Sequence, residues 1–265
     1  MTAFSFTTKA SHIENSLEAV GKINDSAVLT IDGENISIKT VAPSNISMCG
    51  AQIQSEAIEQ FKVKGTKSQS EVTIDPSKLE PYLSPADKND SVTLAYDEDE
   101  STIEGQISTQ NLEFTLPVHV TQLSDIPETR PVEQQISREL NGFDLKQTVK
   151  LFSTIFDKDC VEFQAENSTS SALRMIAQNE YGTKISRSFE VMKPPTPGSS
   201  NYTDEDVENL STKIGVDYLS KFEQLFGRSE MVTVHLRDSY PVRFELRLDS
   251  DLKITYIIAP RREEE

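Results

Sequence analysis

Glycine is scarce: there are ten in 265 residues, and none sits in a phosphate-cradling pattern. That argues against a nucleotide-binding loop. Two cysteines and three histidines are present, and no group of them has the spacing of metal ligands. Nor is there a nucleophile elbow. Cys49 and Cys160 fall at or beside apolar stretches in corresponding halves of the chain and read as buried free thiols. His119 and His235 fall on the polar faces of alternating strands, and His12 near a helix start, without catalytic company. No apolar run reaches the length of a membrane span. The first residues lack the basic start and apolar run of a signal peptide, so the sequence reads as an intracellular, soluble protein. Positive charge is also in deficit, with 26 Lys and Arg against 43 Asp and Glu and a net charge of −17. Such a balance opposes whole-surface attraction to nucleic acid or membrane, so any contact with nucleic acid must come from a local basic face.

Acidic residues are plentiful, and Asp97-Glu98-Asp99-Glu100 is the densest run. Four adjacent acids would suit a divalent ion, as in nuclease sites. Consecutive turn residues point in different directions, however, so the run reads as a solvated hairpin tip. A metal-dependent nuclease at this tip would lose its activity on chelation. No catalytic residue, metal or cofactor is assigned.

What the chain does contain is the same domain twice, at very low identity. Ile13, Leu17, Val20, Val28 and Ile31 match Leu145, Val149, Phe152, Cys160 and Phe163 at one offset of 132. Ile74, Leu79, Tyr82 and Val92 match Ile214, Leu219, Phe222 and Val232 at an offset of 140. The length suffices for two domains with separate cores. Like units in tandem place matching faces side by side, which suits a scaffold better than a single cleft.

Apolar periodicity predicts a helix over 9–22 and a hairpin over 27–41, turned at Asp32-Gly33. Strands follow over 47–63 and 71–74. Asp75-Pro76 reads as an N-cap with proline at the first helical position, opening a helix kept short by Pro81 and Pro85. A hairpin over 92–107 precedes an alternating strand through Leu112, Phe114, Leu116, Val118 and Val120. Residues 121–133 carry Pro127 and Pro131, break periodicity and read as a connector between domains 1–120 and 134–265. The second half repeats the plan, with a helix over 143–155, strands over 160–191, a helix over 216–226 and closing strands. The stretch 194–206, opening at Pro194-Pro195, reads as a surface insertion.

The stretch Leu252-Lys253-Ile254-Thr255-Tyr256-Ile257-Ile258-Ala259-Pro260, followed by Glu263-Glu264-Glu265, resembles the closing strand, Ala-Pro and acidic tail of the PCNA family of DNA sliding clamps. Residues 41–48, from Val41 to Met48, resemble the family's apolar-Asp-x-Ser-His-Val segment. Residues 123–128 resemble its interdomain connector, residues 142–155 its third helix, and Tyr218-Leu219 opens a segment like its fourth.

The resemblance implies an α+β fold of two similar clamp domains. Three subunits would join head-to-tail, with helices lining a ring and antiparallel sheets outside. The joining strands would lie at about 110–118 and 172–180. It implies a non-enzymatic processivity factor encircling double-stranded DNA without sequence preference. Lys150 in the third helix matches a basic position for DNA, and Lys22, Lys78, Lys146, Lys221 and Arg228 lie on or beside the four helices, not always in the family's register. The helical segments carry Lys9, Lys22, Lys78, Lys146, Lys150 and Lys221 against as many acids, so they are basic relative to the whole chain. The family's paired lysines in the first helix are here Glu14 and Asn15.

A partner-peptide pocket would be formed by Val41, Ile46, Met48, Ile126, Pro127, Pro241, Ile258, Ala259 and Pro260. Ala42, Asn45 and Ile257 depart from the family pattern around it. Implied partners are DNA polymerase, the clamp loader (replication factor C), flap endonuclease and DNA ligase, acting through short peptides, and no membrane. An archaeal chain would work in the cytoplasm or nucleoid, a eukaryotic one in the nucleus. The alternative is a clamp-like subunit of a heterotrimeric or checkpoint-type ring.

Overall fold

Phe4 and Phe6 alternate with Ser5 and Thr7, and this period of two builds β1 (Thr2–Lys9), with both rings buried. The computed structural model describes residues 2–32, 35–63, 69–118, 136–156, 159–165, 173–179, 181–190 and 210–261. The strand runs straight into α1 (Ala10–Gly21), whose Ile13, Leu17 and Val20 recur at helical spacing and are buried. Then follow β2 (Ala27–Asp32), β3 (Asn35–Val41), β4 (Ser47–Ile53), β5 (Gln60–Val63) and β6 (Gln69–Ile74). The expected cap is present: the Asp75 side chain accepts from the Ser77 N–H at 3.0 Å and opens α2 (Pro76–Leu83). Burial works to raise the Asp75 pKa, but hydrogen bonds from Ser77 and Lys78 outweigh it and hold the carboxyl below its ordinary value. β7 (Ser91–Asp97), β8 (Thr102–Ile107) and β9 (Leu112–Pro117) follow. Along β9 only Phe114 is buried, with Leu112 and Leu116 half-buried; Val120 lies outside the described residues.

The later elements are β10 (Ile136–Asn141), α3 (Gly142–Ile155), β11 (Cys160–Ala165), β12 (Leu173–Gln178), β13 (Lys184–Phe189) and β14 (Leu210–Gly215). They are followed by α4 (Val216–Ser220), α5 (Glu223–Phe226), β15 (Met231–Leu236), β16 (Val242–Asp249) and β17 (Leu252–Ile258). Two compact units emerge, Met1–Glu128 with Asp249–Ile254, and Thr129–Leu248 with Thr255–Glu265.

Neighbouring strands in the first unit run β5-β1-β7-β8-β9 and β4-β3-β2-β6; in the second they run β10-β15-β16-β17 and β13-β12-β11-β14. β1-β7-β8-β9 corresponds to β10-β15-β16-β17, and β4-β3-β2-β6 to β13-β12-β11-β14. The duplication read from apolar positions is therefore present in strand order. The second core is aromatic: Phe222 stacks on Tyr256 at 3.7 Å, and Phe244 packs edge-on to Phe163 at 5.8 Å. The buried Tyr256 hydroxyl donates to the Tyr218 carbonyl at 2.8 Å.

Three expectations need correction. The helix expected over 216–226 is two short helices, because Phe222 adopts φ −98°, ψ 2° and turns into the core onto Tyr256. Tyr82 and Phe222 are not equivalents: Phe222 is fully buried, whereas Tyr82 is exposed and stacks on Phe114 at 4.9 Å. Cys160 is only half-buried, its Sγ accepting from the Arg261 guanidinium at 3.2 Å; Cys49 is buried, and burial pushes its thiol pKa up.

Candidate nucleic-acid interface and subunit edges

In the first unit α1 packs on α2, and in the second α3 packs on α4 and α5. The six basic residues assigned to DNA are spread over these helices and are not alike. Lys22 follows α1 and pairs with Glu18 at 3.3 Å, an i,i+4 contact. Lys78 pairs with Asp75 at 3.4 Å, on the flank of α2 that faces Leu116 and Val118. Glu14 has its pKa raised by burial and by Glu80 of α2, with Lys88 opposing. Neither lysine assigned to DNA in the first unit is free.

The second unit differs. Lys146 and Lys150 lie four residues apart on one flank of α3, and the Lys146 stem lies against Gly227, where an added Cβ would stand 2.4 Å from its Cδ. The Lys221 ammonium lies 5.4 Å from the Tyr218 ring centroid, and Arg228 is exposed just beyond α5. Lys146, Lys150 and Lys221 form no ion pair among the described residues. Unpaired cations along a helix seam are suited to sequence-independent phosphate contact.

The flank of α3 away from these lysines is apolar and uncovered at Leu151 and Ile155, while Phe143, 61% exposed, lies one turn before Lys146 on the lysine side. Leu151 and Ile155 share a flank with Asp144, which bonds Arg187 of β13 at 2.7 Å, so that flank faces β13. β13 ends its sheet. The strand expected to join subunits, 172–180, is instead β12, which pairs with both β11 and β13. An interior strand has no row of free N–H and C=O groups to offer, whereas β13 ends that sheet, as β14 does on the other side. Ala172 and Glu180 themselves lie outside the described residues. In the first unit β9 ends its sheet beside exposed Tyr82. The two edges differ in charge, with exposed Glu104 and Glu113 at β8–β9 and Lys184 and Arg187 on β13. Sequence reasoning missed Phe143, Leu151, Ile155 and Arg187; helical spacing across α3 marks an apolar stripe wider than one core face needs.

Of the residues assigned to partner peptides, Val41 and Met48 are cross-strand partners and half-buried, while Ile46 is exposed. In the second unit Pro241, Ala259 and Pro260 are half-buried, and exposed Tyr240 lies 4.2 Å beneath the Arg237 guanidinium. Ile258 is fully buried, so its side chain belongs to the core and is not a free surface anchor. Ile126 and Pro127, with the rest of the 121–133 connector, lie outside the described residues. So do His119, the 194–206 insertion and the acidic tail. Asp97 closes its hairpin tip by accepting from the Asp99 and Glu100 N–H groups at 3.0 and 3.2 Å. His12 is buried against Thr8 at 3.0 Å. His235 lies on the half-buried polar face of β15, engaged with Ser137 at 2.7 Å.

No protein-family model matches the chain. Relatives match along its whole length: the DNA polymerase sliding clamp of Methanothrix thermoacetophila is 23% identical over 97% of both chains. That of Methanocella arvoryzae is 24% identical over 99% of this chain and all of its own. Among solved structures, A. fulgidus PCNA with the C-terminal region of FEN-1 bound is 20% identical, with a TM-score of 0.79 over 99% of this chain and all of that one. Strand order, repeated units and this likeness define the two-domain DNA clamp fold. Within that class the chain is similar along its whole length to the archaeal-type PCNA sliding clamps.

Proposed function

We propose that the chain is a DNA sliding clamp, a processivity factor without turnover of its own. Three copies close head-to-tail around double-stranded DNA and tether the polymerase and other replication and repair enzymes. The observation that carries this reading is a pair of sheet-end strands on different units that are opposite in charge. β9 is acidic and flanked by Tyr82; β13 is basic and flanked by the exposed apolar stripe of α3. Edges left bare invite uncontrolled pairing, whereas heterologous contact closed by rotation covers both in every copy.

The helices then line the hole, with Lys146, Lys150, Lys221 and Arg228 bearing most of the phosphate contact. Residues 121–133 connect domains 1–120 and 134–265. As residues that receive peptides of the polymerase, clamp loader, flap endonuclease and ligase we propose Val41, Ile46 and Met48 of the first unit and Pro241, Ala259 and Pro260 of the second. The protein works inside the cell, where duplex DNA is.

Light scattering on the purified chain tests the ring, with a mass three times that of the monomer expected at micromolar concentration. Stimulation of an archaeal polymerase on long primed templates, dependent on a clamp loader, tests the activity. A chain that is monomeric at both low and high salt removes the homotrimer. Self-association appearing only with a second clamp-like chain would favour the heterotrimeric ring.

A further inference from the structure

Between the open edges of the two sheets of the first unit lies a cavity of about 260 Å³. Ile74 of β6, Ile103 of β8 and Leu116 of β9 line it, with Val118 just beyond the strand. Asp75 and Lys78, a solvent-facing pair 3.4 Å apart, stand at its mouth. Ser26 and Thr73 complete a wall that mixes polar and apolar groups, which suits an amphipathic ring better than an ion. A dry cavity of roughly 150 Å³ already admits benzene, so there is room for one aromatic side chain.

The second unit carries such a ring with nothing of its own to cover it. Tyr181, in the turn between β12 and β13, is 84% exposed, more than any other large hydrophobic among the described residues. The turn is held in place: the Asn179 side-chain oxygen accepts from the N–H groups of Tyr181 at 3.1 Å and Thr183 at 2.9 Å. Gly182 takes a φ of +84° that other residues adopt only with strain. An exposed tyrosine on a fixed turn loses little conformational freedom on docking.

Both features border the edges proposed to join. β9 ends at Pro117, next to the cavity, and β13 begins at Lys184, just after Tyr181. The neighbouring pairs β8–β9 and β12–β13 are antiparallel. Addition of β13 to β9 of another copy in the same sense sets the start of one against the end of the other. The turn then arrives at the mouth of the cavity, while Lys184 and Arg187 approach Glu104 and Glu113.

We infer that Tyr181 of each copy seats in the β6–β9 cavity of the next. Its ring lies against Ile74 and Leu116 and its hydroxyl reaches Asp75 and Lys78, which fixes the register of the joined strands. This rests on the head-to-tail ring proposed above.

Two measurements test it. Tyr181→Ala should raise the dissociation constant of the trimer at least about tenfold, as removal of a central aromatic anchor does, while Tyr181→Phe keeps most of the affinity. Copies carrying Tyr181→Cys, co-expressed with copies carrying Lys78→Cys in a Cys160→Ser background, should be joined by a short bis-maleimide only when both are present. A wild-type trimer with an equally tight Tyr181→Ala variant and no cross-link overturns the inference and leaves the ring standing. A wild-type chain that never self-associates overturns the ring and the inference with it.

Discussion

Lys22 and Lys146 are the same residue type on helices that occupy equivalent places in the two units, but their surroundings separate them. Lys22 is held by Glu18 at 3.3 Å, whereas Lys146 lies along Gly227 with no ion pair among the described residues. An ammonium already paired must give up its partner before it meets a phosphate, and it releases fewer counterions when it does. Replacing Lys146 and Lys150 with alanine should therefore lower duplex affinity and flatten the dependence of log K on log salt by about two. Replacing Lys22 and Lys78 should flatten it by clearly less. Fluorescence anisotropy of a labelled duplex over a salt series gives both slopes, and equal slopes for the two pairs would show that the ion pairs do not matter. Part of this was legible beforehand. The i,i+4 spacing of Glu18 and Lys22 is written in the chain, as is the i,i+3 spacing of Asp75 and Lys78. That Lys146 stays unpaired was not legible, because it depends on which residues α5 brings beside α3.

Among the elements, the junction of β10 with α3 leaves the least room. A Cβ on Gly142 would stand 1.9 Å from the Ser229 carbonyl oxygen and 2.3 Å from that of Phe226. Both obstacles are backbone, so no rotamer change relieves them. Gly142→Ala should destabilise the second unit by on the order of 2 kcal/mol, read as a lowered midpoint in urea; a midpoint shift worth less than about 0.5 kcal/mol would mean that α3 moves freely. Nothing in the local sequence marks this glycine, since the obstacle comes from the end of α5, more than eighty residues later.

The same contrast runs through the fold. The cap at Asp75-Pro76 and most strands follow from neighbours within a few residues, and they were readable. β1 and β10 show alternation in Phe4 and Phe6 and in Ile136 and Leu140. They were overlooked because each runs without a turn into a helix, and turns are what delimit strands in a sequence. The break between α4 and α5 could not be read, because Phe222 fits a continuous helical period as well as it fits the stack on Tyr256. The open edge was misplaced by one strand because edge and interior positions are properties of the assembled sheet.

At the scale of the whole molecule, two electrostatic effects oppose each other in ring closure. Each copy carries a net charge of −17, and bringing three together concentrates that charge. In the proposed ring Lys184 and Arg187, the latter already bound to Asp144, would meet Glu104 and Glu113 at solvent-exposed edges, where each pair contributes about 0–1 kcal/mol. Net repulsion acts over the Debye length, about 30 Å at 0.01 M salt and about 3 Å at 1 M. At low salt it spans a whole subunit, and at high salt it barely crosses the interface. The apolar part of the proposed contact, from Tyr82, Leu151 and Ile155, does not weaken as salt rises. Repulsion should therefore decide the sign, so the trimer should tighten with salt while DNA affinity falls. Between about 0.05 M and 1 M potassium chloride the dissociation constant of the trimer should drop by at least about tenfold, measured by analytical ultracentrifugation. A trimer that loosens over that range would mean that the edge ion pairs, not the apolar stripe, hold the ring closed.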